Sequence, residues 1–234
     1  LLAFVSERSG SREIWLHQLE TGQNRKLSEF NHNDWIYDLQ WSPDDQRIAV
    51  LFGHEIQLLD VASGQSQRIA VPAQEIRGLS WFNQQTLAFS LQQQQRWQLF
   101  HYDLESAKLQ QQSSDWAYAH YDALTQQVIL INQQEQIVLA EQLLAVQLPM
   151  IADRSRRLSF SFLAGKLYFL RNNADHSATE LRQFDVTSGL ETSILEMPGN
   201  SLFSIGKNGI YFTVDKTPEA DIFQLNPVQL SPVP

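Results

Sequence analysis

The sequence predicts an all-β protein: a six-bladed β-propeller of four-stranded antiparallel blades, with the first blade incomplete at the N-terminus. The organising stretch, Trp41–Val50, reads as the end of one strand, a Ser-Pro-Asp turn and a second, apolar strand. Proline presets φ in such a turn and aspartate bonds to the local backbone. Two more alternating segments follow by Val71, and four short strands in about 40 residues are typical of one propeller blade.

Three landmarks repeat with this spacing. The residue that closes the first strand recurs in steps of 40, 40, 41 and 43 residues, as Trp41, Trp81, Tyr121, Phe162 and Ile205. The apolar centre of the second strand occurs six times, from Leu2–Phe4 to Ile210–Phe212. The turn after the third strand recurs at Thr21-Gly22, Ser63-Gly64, Ser106-Ala107 and Ser188-Gly189. Because three separate landmarks share one period, we interpret the chain as a repeat protein.

The repeat divides the chain into blades within a single domain of residues 1–234. Their approximate bounds are 1–30, 34–72, 75–113, 115–150, 155–198 and 200–234. Blade one opens in a second strand without a first strand before it. We therefore expect this chain to be part of a longer protein.

The strands of each blade follow from alternation between turn residues. Blade one has Leu1–Ser6, Glu13–Gln18 and Gln23–Ser28, and blade two adds Glu55–Val61 and Gln65–Val71 to the organising stretch. Blade three has Ile76–Trp81, Thr86–Leu91, Arg96–Leu104 and Ala107–Gln112. We interpret Gln92–Gln95, between two of these strands, as a solvated hairpin rather than an interaction tract.

The last three blades are read in the same way. Blade four runs from Trp116 to about Pro149, with Glu135–Leu144 expected as a strand despite a helix-like pattern. Blade five has Arg157–Phe162, Lys166–Arg171, Glu180–Val186 and Glu191–Met197. Blade six has Ser201–Ile205, Gly209–Val214 and Asp221–Leu225. In this architecture the first strand of each blade lines the axis, and loops between blades share one face with the second-to-third hairpins.

Composition narrows the classes of function. The chain has 17 basic and 26 acidic residues, a net charge of −9, which argues against nucleic-acid binding because phosphate contacts need clustered Lys and Arg. No apolar run approaches the length that spans a bilayer, and no signal peptide is visible. The absence of cysteine excludes disulfides and thiolate metal sites while leaving the compartment open.

No motif predicts catalysis, a cofactor or a metal. The nearest approach to a G-x-S-x-G nucleophile turn, Gly199–Phe203, lacks the closing glycine. The six histidines show no H-x-x-x-H or H-E-x-x-H spacing, and no glycine-rich loop opens a helix. We therefore expect a protein that is not an enzyme.

Aromatic residues after an acid suggest a binding surface. Trp35 follows Asp34 and Trp116 follows Asp115, each at the expected start of a first strand and 81 residues apart. Aromatic rings at the channel mouth are good anchors for a protein segment or a small-molecule ligand. The alternative is that both tryptophans pack as lids between adjacent blades.

Two other loop features join this candidate binding set. His32 lies in the loop that leads into blade two, where it has a possible metal-binding or proton-sensing role. Arg154 and Arg156 belong to the dense basic cluster that leads into blade five. This cluster suits an acidic partner, while a solvated loop between blades is the alternative.

Two segments resemble a known repeat family. Phe4–Trp15 resembles the "FxSdRsGnxeIy" core of the WD40-like repeats of TolB-type propellers, and Trp41–Ala49 resembles the "WSPDGkrIAF" of the same repeat. Asp45 stands where the pattern has glycine, a tolerable change because Asp accepts the left-handed conformation. The match is good in blades one and two, fair in three and five, and poor in four and six.

The resemblance implies a six-bladed propeller in one of three settings. Such repeats occur in the extracytoplasmic sensor regions of CadC-like winged-helix membrane regulators, in soluble periplasmic TolB-like adaptors, and in the substrate-gating propellers of prolyl-oligopeptidase-like peptidases. We favour the first, a periplasmic sensor domain tethered to the inner membrane by upstream sequence, because the repeat is degenerate and the chain is acidic and Gln-rich. A soluble periplasmic or cytoplasmic protein is the alternative.

Overall fold

Strands make up all the regular structure that the computed structural model describes. It describes residues 1–30, 35–52, 54–71, 75–146, 148, 158–172, 178–197, 202–207, 209–216 and 219–225, with side chains as far as residue 212. Within these ranges, 22 strands form six small antiparallel sheets. We number the sheets in chain order.

The first three sheets contain eleven strands. Sheet 1 consists of β1 (Leu2–Ser6), β2 (Glu13–His17) and β3 (Asn24–Lys26). Sheet 2 consists of β4 (Asp38–Trp41), β5 (Arg47–Phe52), β6 (Glu55–Asp60) and β7 (Ser66–Ile69). Sheet 3 consists of β8 (Ile76–Trp81), β9 (Thr86–Gln93), β10 (Arg96–Asp103) and β11 (Lys108–Gln111).

The last three sheets contain the other eleven strands. Sheet 4 consists of β12 (Trp116–Asp122), β13 (Gln127–Asn132), β14 (Ile137–Leu139) and β15 (Gln142–Leu143). Sheet 5 consists of β16 (Phe160–Leu163), β17 (Lys166–Asn172), β18 (Thr179–Asp185) and β19 (Glu191–Met197). Sheet 6 consists of β20 (Phe203–Gly206), β21 (Gly209–Lys216) and β22 (Glu219–Leu225).

The sheets are arranged as a propeller. Strand order follows chain order within each sheet, and the first strands of sheets 2 to 6 neighbour one another in turn, β4 with β8, β8 with β12, β12 with β16 and β16 with β20. These first strands are therefore the inner strands around the axis. The prediction of an all-β propeller of small antiparallel sheets is confirmed.

The predicted number of six blades is corrected. Sheets 2 to 6 are five blades, called blades 2 to 6 below, and sheet 1 is a partial sheet whose β1 pairs with β2 alone among the described strands. The physical reason for this correction is that sheet 1 contributes no described strand to the inner ring. An exposed ion pair links blades 6 and 2, with Lys207 Nζ in the β20–β21 turn 2.8 Å from Asp45 Oδ2 in the β4–β5 turn.

Alternation along each second strand explains how the blades pack. In β5, Ala49 and Leu51 belong to the apolar cluster shared with blade 3, while Ile48, Val50 and Phe52 belong to the cluster shared with sheet 1. All five are buried. Because successive side chains of a strand point to opposite faces of the sheet, β5 packs against a neighbouring sheet on each face.

The repeated turn after the third strand has one geometry. Its positions Gly22, Gly64, Ala107 and Gly189 all have positive φ, between 53° and 75°. In three copies an aspartate carboxylate accepts the N–H of the serine three residues later, with distances of 2.7, 2.8 and 2.9 Å at Asp60–Ser63, Asp103–Ser106 and Asp185–Ser188. The turn landmark in the sequence therefore reflects a left-handed residue and a carboxylate that orders the loop.

One strand prediction in blade 4 was wrong. Glu135–Leu144 was expected as a single strand, but β14 and β15 form a hairpin within it. Ala140 and Glu141 adopt φ values of 47° and 67° at its turn. The sequence has no glycine or asparagine here to signal a two-residue turn.

Candidate functional site

Two of the predicted binding residues line a groove between blades 3 and 4. Trp116 is the first residue of β12, and Asp115 precedes it. The groove has a volume of about 320 Å³. It is lined by Arg96, Ser114, Asp115, Trp116, Asn132, Gln133 and Gln134, and we call it the Trp116 groove.

Ser113 shapes the loop that carries Asp115 and Trp116. Its hydroxyl lies 3.1 Å from Asp115 Oδ2 and accepts the Asp115 N–H at 3.3 Å. The Trp116 N–H donates to the Ser113 carbonyl at 3.1 Å. A serine that bonds the backbone two residues later is a local turn device, so the loop presents Asp115 in a defined position.

The β13–β14 hairpin forms the wall in blade 4. Asn132 Oδ1 accepts the N–H groups of Gln134 and Gln136 at 3.0 and 2.9 Å. This bonding pattern holds the tight turn. It places the exposed Gln134 and the half-buried Gln133 beside the tryptophan loop.

Gln133 connects the two blades. Its Nε2 donates to the carbonyl of Trp97 in blade 3 at 2.8 Å and to the carbonyl of Trp116 at 3.3 Å. Its N–H donates to the Asp115 carbonyl at 3.2 Å. The three elements around the groove are therefore bonded to one another.

The β9–β10 hairpin forms the wall in blade 3. Gln94 and Gln95, at its tip, have φ values of 49° and 65°, a conformation that costs a non-glycine residue roughly 1–2 kcal/mol. Arg96 follows them and lines the groove. The expectation of an exposed hairpin at Gln92–Gln95 is confirmed, but its last residue adjoins the candidate site.

Trp35 lies in a different environment. It is in the loop ahead of β4 rather than at the start of a strand, and its side chain is 58% exposed. The Arg12 guanidinium lies 4.4 Å from the centre of its ring, and Arg12 Nη2 lies 2.6 Å from Glu7 Oε1. Trp35 therefore packs on the β1–β2 hairpin of sheet 1, and its surroundings differ from those of Trp116.

The remaining predicted residues have no structural description. His32, Asp34, Arg154 and Arg156 lie outside the described residues. The hypotheses of a sensing histidine and of a basic cluster for an acidic partner stay predictions.

The sequence reasoning missed the polar residues of the Trp116 groove. Arg96 was assigned to an ordinary strand, and Asn132, Gln133 and Gln134 were not singled out. The available signal was the coincidence of two amide-rich hairpin tips, 92–95 and 132–136, in consecutive repeats. Both hairpins join the second and third strands of their blades. Equivalent hairpins of consecutive repeats lie on the same face of the propeller.

Two half-buried histidines have clearly lowered pKa values. Burial lowers the pKa of His120, on β12, and of His101, on β10, to about 4 in each case. His101 Nε2 is buried without a hydrogen-bond partner, and its ring lies 4.0 Å from that of Phe82. Both imidazoles are therefore neutral at pH 7.

The described residues contain no group of three or more His, Cys, Asp or Glu side chains placed to hold a metal ion. Within the same ranges, no helix has the length and apolar character needed to cross a bilayer.

Comparison with known proteins shows the fold. No family model and no curated protein sequence matches the chain. Among solved structures it is similar to TolB from Acinetobacter baumannii, with a TM-score of 0.69 and 13% identity over 96% of this chain and 60% of TolB. The chain thus has a TolB-like β-propeller fold and spans less than two thirds of the TolB chain.

Enzymes share this architecture. An acylaminoacyl peptidase from Pyrococcus horikoshii is similar with a TM-score of 0.58 and 14% identity, over 96% of this chain and 42% of the peptidase. An oligogalacturonate lyase in complex with manganese is similar with a TM-score of 0.56 and 12% identity, over 98% of this chain and 86% of the lyase. At these levels of sequence identity, the structural similarity shows a shared fold and does not show a shared function.

Proposed function

We propose that this propeller is a non-catalytic recognition module that binds a protein segment or a small-molecule ligand in the Trp116 groove. One observation carries the proposal: a half-buried tryptophan lies in a groove whose two hairpin walls and connecting loop are bonded together through Gln133. A groove fixed before binding loses little conformational freedom when a ligand enters.

The residues that line the groove are suited to binding. Trp116 supplies an aromatic surface, and the neighbouring amide, hydroxyl and charged side chains supply directional hydrogen bonds. Ligand sites combine apolar area with a few placed polar groups in this way. Trp35, with Arg12 stacked on it, is a second, more exposed aromatic surface beside sheet 1.

The test of the site is a photo-crosslinking residue placed at Gln134 of the native full-length protein in source cells. The control is the same residue at Leu190, which is 61% exposed in the β18–β19 turn. We expect an adduct at Gln134, absent at Leu190 and lost when Trp116 is changed to Ala. Adducts at both positions, or an adduct at Gln134 that survives Trp116→Ala, would contradict the proposal.

For the biological setting, we propose the extracytoplasmic domain of a bacterial membrane-bound winged-helix regulator, located in the periplasm. The support is the degenerate TolB-type repeat signature at Phe4–Trp15 and Trp41–Ala49. A soluble periplasmic TolB-like adaptor is the second candidate, favoured by the similarity to TolB. The propeller of an oligopeptidase is the third, favoured by the similarity to the acylaminoacyl peptidase.

Fractionation of source cells separates these settings. An antibody to this domain would detect the intact native polypeptide by size and compartment. A band of roughly twice the mass of this chain in the inner membrane supports the regulator. A soluble periplasmic band only slightly larger than the chain contradicts it and favours the adaptor, and a large soluble band with peptidase activity favours the third candidate.

A further inference from the structure

Three side-chain amides line the Trp116 groove, those of Asn132, Gln133 and Gln134. Asn132 Nδ2 donates to Gln136 Oε1, and Gln133 Nε2 donates to the carbonyls of Trp97 and Trp116, so these two amides hold the walls together. The exposed Gln134 amide, with two donors and an acceptor, is the one available to a ligand. A ligand that matches such a surface must itself donate and accept hydrogen bonds along its length, as a chain of hydroxyl groups does.

The charges of the groove cancel. Arg96 and Asp115 are the two ionisable side chains that line it. Phosphate and carboxylate polymers are recognised by clusters of Arg and Lys, and a single arginine beside a carboxylate is not such a cluster. The groove therefore favours a neutral ligand over an anionic one.

Trp116 gives this polar groove an aromatic surface that is held in place. Trp116 packs against the apolar cluster of Ala88, Leu99 and Ala119 and remains half-buried. An aromatic ring in contact with the C–H face of a ligand ring contributes roughly 0.5–1.5 kcal/mol beyond the area that it buries. An aromatic side chain beside the polar groups of Asp115, Arg96 and Gln134 is complementary to a ring that has an apolar face and a hydroxylated edge.

An extended peptide fits the groove less well. Strands β9, β10, β13 and β14 each have two paired neighbours, so the hairpins offer no free strand edge to which a peptide could add. The volume of about 320 Å³ lies at the lower end for ligand pockets. It suits one ring-sized unit better than several side chains.

We infer that the Trp116 groove binds one pyranose unit of a neutral oligosaccharide. The ring stacks on the indole of Trp116, and its hydroxyl groups bond to Asp115, Arg96 and Gln134. This inference rests on the proposed function, and it names the class of ligand for the same groove.

The test is titration of the full chain with neutral oligosaccharides, using maltohexaose, cellohexaose and chitohexaose, followed by tryptophan fluorescence and calorimetry. Polygalacturonate and an unrelated extended peptide are the comparison probes. We expect at least one neutral oligosaccharide to bind, and Trp116→Ala to weaken it by about tenfold or more. Because Trp116→Ala alters packing, the exposed double variant Asp115→Ala and Gln134→Ala is the second test, with an expected loss of about fivefold or more.

Leu190→Ala, in the exposed β18–β19 turn of blade 5, is the control and leaves the affinity unchanged. The inference is overturned if none of the three oligosaccharides binds, if binding is the same in both groove variants as in the parent, or if polygalacturonate binds instead. Binding of the peptide in the groove would also overturn it, while leaving the proposed recognition function intact. Failure of the crosslink at Gln134, by contrast, would contradict the recognition function itself.

Discussion

The junction between blades 3 and 4 and the junction between sheet 1 and blade 2 are built differently. In the first, Ser80 Oγ on β8 donates to the Ala119 carbonyl on β12 at 2.6 Å, and Ser90 Oγ on β9 donates to the Ala117 carbonyl. In the second, Arg25 Nη2 on β3 donates to the Val61 carbonyl at 2.7 Å, near the outer strand. Buried polar links near the axis therefore accompany a junction in which both sheets have inner strands.

The tryptophans at these two junctions show the consequence. Trp116 begins an inner strand, so the hairpins of blades 3 and 4 lie on either side of it and form a groove. Trp35 precedes its inner strand, and Arg12 from sheet 1 covers one face of its ring. The same Asp-Trp sequence signal thus produces a lined groove in one place and an exposed stacked pair in the other.

The largest expected effect comes from Gly78, on the inner strand β8. It lies at an irregularity in the β8–β9 register with φ of 58°, and an added Cβ would lie 2.6 Å from Tyr118 Cδ1. Because Tyr118 is 5% exposed and cannot move into solvent, Gly78→Ala should lower the free energy of unfolding by about 3 kcal/mol or more. Urea denaturation measures it.

Gly189→Ala is the matched control for backbone strain. Gly189 has φ of 69° and open space around the added Cβ, so the substitution should cost only about 1 kcal/mol. Equal losses for the two variants would show that the close approach of Tyr118 to β8 does not matter to stability.

The second prediction concerns pH and the inner strand β12. Burial lowers the pKa of His120 to about 4, from 6.5, so the unfolded chain takes up a proton at this residue before the folded one does. Its neutral form therefore stabilises the fold fully above pH 6.5, and this contribution is lost as pH falls to about 4. The loss should be on the order of 2 kcal/mol.

Denaturation curves between pH 7 and pH 4 measure this loss. His120→Gln should flatten the decline, although His101, with a pKa also lowered to about 4 by burial, still contributes. His17→Gln on sheet 1 is the control substitution and should leave the decline in place. An unchanged decline in His120→Gln would contradict the assignment.

The third prediction compares the polar links of the two junctions. Ser80 is buried at 1% exposure, so Ser80→Ala removes a buried hydrogen bond to Ala119 and should cost about 1–2 kcal/mol. Arg25 is exposed, and Arg25→Ala should cost less than about 1 kcal/mol. A larger loss for Arg25→Ala would mean that sheet 1 depends on this outer link more than blade 4 depends on the inner one.

The sequence predicted the repeat because each landmark reflects local chemistry. The left-handed turn position explains Gly22, Gly64 and Gly189, and two-sided burial explains the apolar centres such as Ile48–Val50. The hairpin at Ala140-Glu141 was missed because neither residue type favours positive φ. Local pattern could therefore predict strands but not every turn.

The site was harder to predict because it depends on neighbouring repeats. Trp116 and Asp115 stand out in the sequence, but the groove exists because Gln133 bonds to the carbonyl of Trp97, 36 residues earlier. Contacts between repeats of this kind leave no periodic signal. The number of blades was missed because the segments of sheet 1 follow the repeat although sheet 1 contributes no described strand to the inner ring.

The smallest expected effect is the coupling energy between an arginine and the tryptophan ring on which it stacks, compared between Arg12–Trp35 and Arg47–Trp81. Trp35 is mostly exposed, so a double-mutant cycle of Arg12→Ala and Trp35→Ala should give a coupling of about 0.5 kcal/mol, as for exposed cation–π pairs. Arg47 lies 5.4 Å from the ring of Trp81, which is 4% exposed, and the same cycle there should give about 1 kcal/mol or more. Because desolvation strengthens the attraction between a cation and a ring, a coupling at Arg12–Trp35 as large as that at Arg47–Trp81 would show that Trp35 is shielded from water. Trp35 would then resemble Trp116 more closely than its exposure indicates.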